Sequence, residues 1–530
     1  MIRSRLSAAL ICAFGALAVE AAPFVWTSAG DILTFDIHAQ NESLNQMATG
    51  EVYEGLVRLN AKMEVEPALA ESWERTEGGF IFHLRKGVKF HEGETLTADD
   101  VVFSINRAIS PKSQFKSTAS GILGAEKRDD LTVFIRTQTG SPVLFKQLPQ
   151  LLIMNRAWAE KHGALEPQDF VNRQEAYAAR HANGTGPFKL KSREVDVKTV
   201  FTINEAWWDQ ANRRGNVTEV TYMPIKSAAT RTAALLSGQV DFVLDAATQD
   251  MMRLKKSPGI TVVEGPENRV LMVSFDQHRD ASPYVRDADG RPMTTNPFKD
   301  KRVREALSLS VNRPGLVKGV MRGSAVPTGT IVAEGVEGWT KELAQPPKFD
   351  LPRAKALLAE AGYPKGFGFT LDCPNNRWIN DENVCKALAG MWAKAGLKVD
   401  VNTMPRAQYF PKVLSFDTSA GLVGWGNGMF DALFSLQPLS ATFNKNSGEG
   451  ISNIGRASNA KLDELVQAVK REEDSAKRTK LMQEALAVEK AEVLHVTLHQ
   501  QTIPWAMQRG VEVVHRPDNR LVLEWIKVNK

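Results

Sequence analysis

The stretch from Pro67 to Arg107, PALAESWERTEGGFIFHLRKGVKFHEGETLTADDVVFSINR, constrains the fold more than any other part of the chain. Phe80, Phe82 and Leu84 alternate with Ile81 and His83, the period of a strand with one buried face. Gly87 then marks a turn into Val88 and Phe90, which predicts a hairpin. Thr97 follows as the cap of a helix whose first turn carries Asp99 and Asp100. Acids there suit the positive end of the helix dipole and close a Thr-x-x-Asp box. Val101, Val102, Ile105, Ala108 and Ile109 supply its buried face. A hairpin followed by a capped helix serves many folds, so periodicity alone goes no further than this.

The rest of the chain repeats strand and helix in alternation. Phe24 to Gly30, FVWTSAG, reads as a strand, followed by a loop and a helix ending at Tyr53-Glu54-Gly55-Leu56. Residues 110–183 hold short strands and a charged, helix-prone stretch from Gln168 to His181, which reads as an insertion or subdomain. Gly184-Thr185-Gly186-Pro187-Phe188 is a glycine-proline turn entering a strand. The segment from Arg231 to Asp241 reads as helix, glycine stop, strand. An apolar strand from Val270 to Phe275 runs into a polar loop, where a change of domain is expected. Asp350, Pro352 and Gly362 bracket a further helix. Strands are then expected at Gly366–Leu371, Leu397–Val401, Ala420–Trp425 and His495–His499, with Trp505, Val511–Val514 and Leu521–Trp525 completing the first domain.

Several of these strings together resemble one family. LAESW, then F-x-L-R-x-G-V-K-F-H-x-G, then L-T-A-D-D-V-V-F-S, is similar to the signature segment of the family 5 extracellular solute-binding proteins. These are peptide- and dipeptide-binding components of ABC importers. Y-E-G-L-V, G-T-G-P-F followed by N-x-x-W-W, and P-F-x-D-x-R-V-R-x-A-L extend the resemblance over nearly the whole chain. It implies an α/β, two-lobed periplasmic binding protein fold with an extra subdomain in the first lobe. On that reading residues 23–272 form the first lobe, with the subdomain at about 60–180. Residues 273–497 form the second lobe and 498–530 return to the first. The implied partners are a peptide or other small polar solute and an ABC permease with its ATPase, the binding protein itself being a monomer.

Composition and termini agree with an exported protein. Arg3 and Arg5, an apolar run from Leu6 to Val19, and Ala21-Ala22 read as a cleaved secretory signal over residues 1–22 and hence a periplasmic location. A net charge of +5 without a long basic run gives no reason to expect nucleic acid. Apart from Cys12 in the signal, the cysteines are Cys373 and Cys385. In an oxidising compartment they read as a disulfide closing a short loop, the alternative being two buried thiols. Their surroundings hold only acids and amides, so no metal is expected.

In open α/β sheets ligands bind beyond the carboxyl ends of the strands. That makes the loops at Asn375-Asn376-Arg377 and at Trp425-Gly426-Asn427-Gly428 to Asp431 pocket candidates. The asparagines can bind polar groups, Trp425 can stack on a planar ligand, and the glycines admit backbone amides. Arg377 is either a carboxylate partner or a solvated loop arginine. His499 falls near where the family lines its cleft. In the peptide-binding members an acid three residues after the tryptophan pairs with the ligand's amino terminus, and here that position is Gly428. A buried ammonium without a counter-charge costs several kcal/mol. Either Asp431 substitutes after a loop shift, or the solute has no free α-amine there.

No G-x-S-x-G elbow, P-loop, H-E-x-x-H or paired C-x-x-C occurs, so the chain reads as a binding protein without cofactor rather than an enzyme. An exported ligand-sensing or peptide-holding protein on the same fold is the alternative.

Overall fold

The computed structural model describes residues 22–116, 118–138, 142–169, 175–445 and 447–529. The expected signal lies outside the described residues except for Ala22, which begins the first strand, Ala22–Ser28. Residues 170–174 of the Gln168–His181 stretch also lie outside. Within that stretch, Tyr177–Ala179 forms a single 3-10 turn.

The Pro67–Arg107 stretch builds one side of a four-stranded antiparallel sheet. Its order is Ala70–Thr76, Gly79–Leu84, Thr132–Thr137, Ile122–Asp129. Phe82 and Leu84 are buried as the alternation requires. The hairpin partner differs from expectation: Gly79–Leu84 folds back on the preceding strand and pairs on its other edge with Thr132–Thr137. Beyond Gly87 only an isolated bridge, Lys89 to Thr95, remains.

The predicted helix runs Ala98–Ala108 and buries Val101, Ile105 and Ala108 in a core shared with Phe82 and Leu84. The Thr97 backbone N–H donates to Asp100 Oδ2 at 2.9 Å. Asp100 Oδ1 accepts from the Asn155 side chain and the Arg156 backbone, which ties the cap to the next segment. At the other end Arg107 grips Asp36 with two 2.7 Å hydrogen bonds, both side chains fully buried. Burial works to raise the Asp36 carboxyl, but the Arg107 guanidinium outweighs it and holds the group below its ordinary value.

The main sheet has twelve strands and spans two cores. In the first lobe Ala22–Ser28 lies between Phe242–Val243 and Val217–Pro224, parallel to both. Its core includes Phe24, Trp26, Tyr222 and Trp505. In the second, Gly368–Pro374 runs parallel to Lys398–Met404 and, at Asp372, to Ala420–Gly426. Phe275, Phe298, Phe369 and Trp392 fill that core. Parallel strands joined by helices put all their carboxyl ends on one side.

Two long antiparallel strands, Ile260–Phe275 and His495–Gln508, join the lobes. They pair from Ile260 to Pro266 and again from Val270 to Ser274, with the register broken between. From Arg269 onward the outgoing strand also pairs with Ala420–Gly426 of the second lobe. The change of neighbours thus falls at Glu267–Arg269 and opposite Gln500–Thr502. Leu521–Trp525, expected as a strand, instead closes into a 3-10 turn at Leu523–Trp525. Its apolar residues still enter the first core. Cys373, at the end of its strand, is joined to Cys385 in the helix Asp381–Lys394, with Cα atoms 6.7 Å apart.

Candidate functional site

The carboxyl ends of the parallel strands from both lobes converge on the break in the crossing strands. There Glu267 is buried and accepts from Arg269 Nε at 2.8 Å and Gln501 Nε2 at 2.6 Å. Gln500 Nε2 donates to the Glu267 carbonyl. Asn268 donates to the Asn427 carbonyl at 2.7 Å and accepts from the Asn427 N–H at 3.1 Å. The crossing is therefore stitched to the Gly426–Asp431 loop through backbone atoms.

The alternate glycines of Gly424-Trp425-Gly426-Asn427-Gly428 have a local cause. A Cβ on Gly424 would stand 2.4 Å from the Trp378 indole, and one on Gly426 would stand 2.9 Å from the Arg269 guanidinium. Side chains would block the close approach of both groups. Trp425 is half-buried: its indole N–H donates to the Phe434 carbonyl at 2.9 Å, and its ring packs on the second lobe's core. Asn427 is buried and its amide is taken up by the loop, donating to the Asp431 carbonyl and Ser435 Oγ. Asn375 and Asn376 are exposed, and Asn376 Oδ1 accepts from the Arg406 N–H.

Asp431 does not present a free carboxylate. Arg478 holds it through both oxygens at 2.5 and 3.0 Å, and Lys146 of the first lobe approaches to 3.0 Å. Burial works to raise this carboxyl, but the two cations outweigh it and hold it low. Lys146 also pairs with Glu337 of the second lobe. Gly428, the position that lacks an acid, receives a hydrogen bond on its carbonyl from Gln150 of the first lobe at 3.3 Å. His499 is fully buried on the returning strand, and neither ring nitrogen has a partner among the described residues. Burial lowers its pKa to about 4, so the ring is neutral. His495 instead meets Glu489 at 3.0 Å.

Arg377 stands apart. Its backbone N–H is fixed by Asp381 Oδ2 at 2.8 Å, the acid of the following helix. Among the described residues its guanidinium has no hydrogen bond or ion pair. Burial, Arg269 and Arg406 depress its pKa, while Glu42 and Glu267 work the other way. In the first lobe Asp245, at the end of Phe242–Val243, stands in the left-handed region at φ 55° and feels the Arg377 charge. Asp245 Oδ1 accepts from Asn519 Nδ2 at 2.8 Å, and the Trp505 indole N–H orients that amide through Asn519 Oδ1. Its second oxygen has no hydrogen-bond partner among the described residues. Burial raises the Asp245 carboxyl against the pull of Asn519, Arg231, Arg269 and Arg377.

Further contacts join the lobes around the site. Arg406 approaches Glu42 at 3.6 Å, Asn380 donates to Thr248 Oγ1 at 2.8 Å, and Arg75 pairs with Glu473 at 2.7 Å. Sequence reading passed over Glu267, Arg269, Asp245, Lys146 and Gln150. One signal was available: the polar triplet Glu267-Asn268-Arg269 interrupts an otherwise apolar strand, where polar groups need partners.

Comparison with known proteins finds relatives over most of the chain. The model of bacterial extracellular solute-binding proteins, family 5, matches residues 64–447. The heme-binding protein A of Haemophilus influenzae is 26% identical over 486 residues, covering 86% of this chain and 81% of its own. The periplasmic binding protein DppA of Helicobacter pylori, solved with the peptide STSA, superposes with a TM-score of 0.82 at 22% identity. It covers 96% of this chain and 98% of its own. AgaA of A. tumefaciens R10, solved with agropinic acid, gives 0.79 at 22% identity, with 96% and 99% covered.

Proposed function

Because the chain belongs to the family 5 bacterial extracellular solute-binding proteins, we propose that it captures a small solute bearing a carboxylate between its two lobes and hands it to a membrane permease. The solute-binding role follows from the family. The carboxylate rests on one observation: among the described residues the Arg377 guanidinium, at the strand ends between the lobes, lies over the Trp378 ring but has no hydrogen bond or ion pair. A half-buried cation with two further arginines near it is better stabilised once an anion reaches it, and arginine's planar fork suits a carboxylate. Asp245 faces the same space from the first lobe and accepts donors from the solute.

Residues 1–22 supply the export signal, and the joined Cys373 and Cys385 suit an oxidising compartment. An ABC permease and its ATPase are the partners. Peptides, opines and other carboxylated solutes all satisfy the Arg377 requirement. The relatives named above carry solutes as different as heme, a peptide and agropinic acid. The mechanism is a population shift: a solute touching both lobes favours the closed arrangement by its differential affinity.

The test is native mass spectrometry of the exported protein as purified. Thermal shift with carboxylated solutes, with and without a free α-amine, follows on refolded wild type and on Arg377→Ala. A solute at about 100 times its dissociation constant stabilises by about 2.7 kcal/mol. Loss of a charge-assisted pair should weaken binding roughly 10- to 100-fold. A stabilising solute that binds Arg377→Ala as tightly as wild type removes the carboxylate from the reading.

A further inference from the structure

The first lobe contains a cavity of about 140 Å³ between the helix Ser43–Val52, the segment Tyr53–Leu59, the Pro149–Gln150 turn and the C-terminal segment Arg516–Trp525. At about 30 Å³ per water that is room for four or five waters, or for one ammonium or guanidinium group. Gln150 lines it and also touches the second lobe, donating to the Gly428 carbonyl. A Cβ on Gly428 would stand 3.2 Å from the Gln150 amide nitrogen. The cavity thus adjoins the interlobe cleft at the position where the carboxylate is missing.

The charges on its walls are unevenly matched. Arg58 is held by Glu66 and Asp209, both at 2.7 Å, and Arg516 by Asp518 at 2.6 Å. Arg520 also approaches Asp518, at 3.8 Å. Glu54 accepts from Trp207, Trp208 and Thr185. Glu51 and Glu524 are left over. Both are more than nine-tenths buried, and neither has an ion pair among the described residues. Among the described residues Glu51 accepts only from the Leu523 N–H, at 3.2 Å. Glu524 Oε2 is buried without a hydrogen-bond partner. A cavity wall carrying two adjacent unpaired carboxyls lacks a cation or protons.

We propose that this cavity is a subsite for a cationic group of the solute, an ammonium or guanidinium held between Glu51 and Glu524, while a carboxylate of the same solute lies at Arg377. The assignment rests on the reading of the interlobe cleft given above. It replaces the missing acid at Gly428 with a pair in the other lobe. Burial pushes Glu524 up to about 7, with Asp209 adding to the rise and Arg58, Trp525 and Arg214 opposing it. Burial and Glu524 push Glu51 well above its ordinary value, against the Leu523 N–H and Arg516. Entry of a cation therefore expels bound proton to solvent.

Isothermal titration at pH 6.5, in two buffers of different ionisation enthalpy, tests this with alanyl-arginine and its neutral isostere alanyl-citrulline. Wild type should bind the arginine dipeptide about tenfold or more tightly and release proton on binding it, and Glu524→Gln should abolish both differences. Equal affinity for the two dipeptides on wild type overturns the subsite whatever the variants do. So does a preference and proton release that survive in Glu524→Gln and Glu51→Gln, and so does the absence of any binding. Arg377→Ala separates the two claims. If it leaves both dipeptides unaffected while Glu524→Gln still removes the preference, the carboxylate reading fails and the cation subsite stands.

Discussion

Arg377 shows how a residue acquires a role from what its neighbours leave undone. Arg269 has Glu267 and Arg406 has Glu42, so among the described residues the arginine of these three without an ion pair is the one at the strand end. In sequence this was an even choice between a carboxylate partner and a solvated loop arginine, because pairing depends on acids far along the chain. Asp245 was illegible for the same reason: Asn519 and Trp505, which position it, come from the C-terminal segment. Asp245→Asn should keep the amide-to-oxygen hydrogen bond from Asn519 while removing the charge. Titration should show roughly tenfold weaker binding of a zwitterionic solute, with an N-acetylated analogue nearly unaffected. Glu524 gives a prediction without any solute. Its carboxyl stays neutral in the fold up to about 7 but ionises near 4.5 when unfolded. The stability it contributes is full below pH 4.5 and is lost as pH rises to about 7. Denaturant titration from pH 4 to 8 should show Glu524→Gln flattening this decline by on the order of 2–3 kcal/mol.

The helix Ala98–Ala108 illustrates what local chemistry fixes in an element and what it leaves open. Acids in the first turn and an apolar stripe gave its place and its buried face. The grip of Arg107 on Asp36 could not be read, since it joins residues 71 positions apart. Arg107→Ala leaves a buried carboxylate uncompensated and should cost about 3–5 kcal/mol by denaturant titration. This stabilisation is full above the unfolded Asp36 value of 3.8 and is lost as pH falls through the lower folded value. The strand Ala420–Gly426 was also legible, yet the reason for its glycines was not. Gly424→Ala forces the Trp378 ring to move and should cost about 1–3 kcal/mol. The bond from Cys373 to Cys385, with a sequence separation of 12, spans a short loop, so replacing both by alanine should cost about 2–3 kcal/mol in the same assay.

Across the whole molecule, the closure proposed above would depend on a few contacts that bridge the lobes. Lys146 joins the first lobe to Glu337 and Asp431, while Asp431 keeps Arg478 when the lobes part. Lys146→Ala should therefore weaken solute binding severalfold and, by small-angle scattering at subsaturating solute, shift the population toward the larger radius of gyration. An unchanged scattering profile would remove Lys146 from the closure mechanism. The sequence by itself determined the elements: periodicity, caps and glycine stops are encoded over a few residues, and the family strings carried the two-lobed α/β fold. Tertiary structure alone decided which charges are matched. Asp431, a reasonable partner for a ligand's amine when read in its loop, is consumed by Arg478 and Lys146. Among the described residues Arg377, Glu51 and Glu524 are left without an ion pair. Such pairing is set by distances of a few ångströms between segments hundreds of residues apart, at which charge interactions are strong, and local sequence does not contain it.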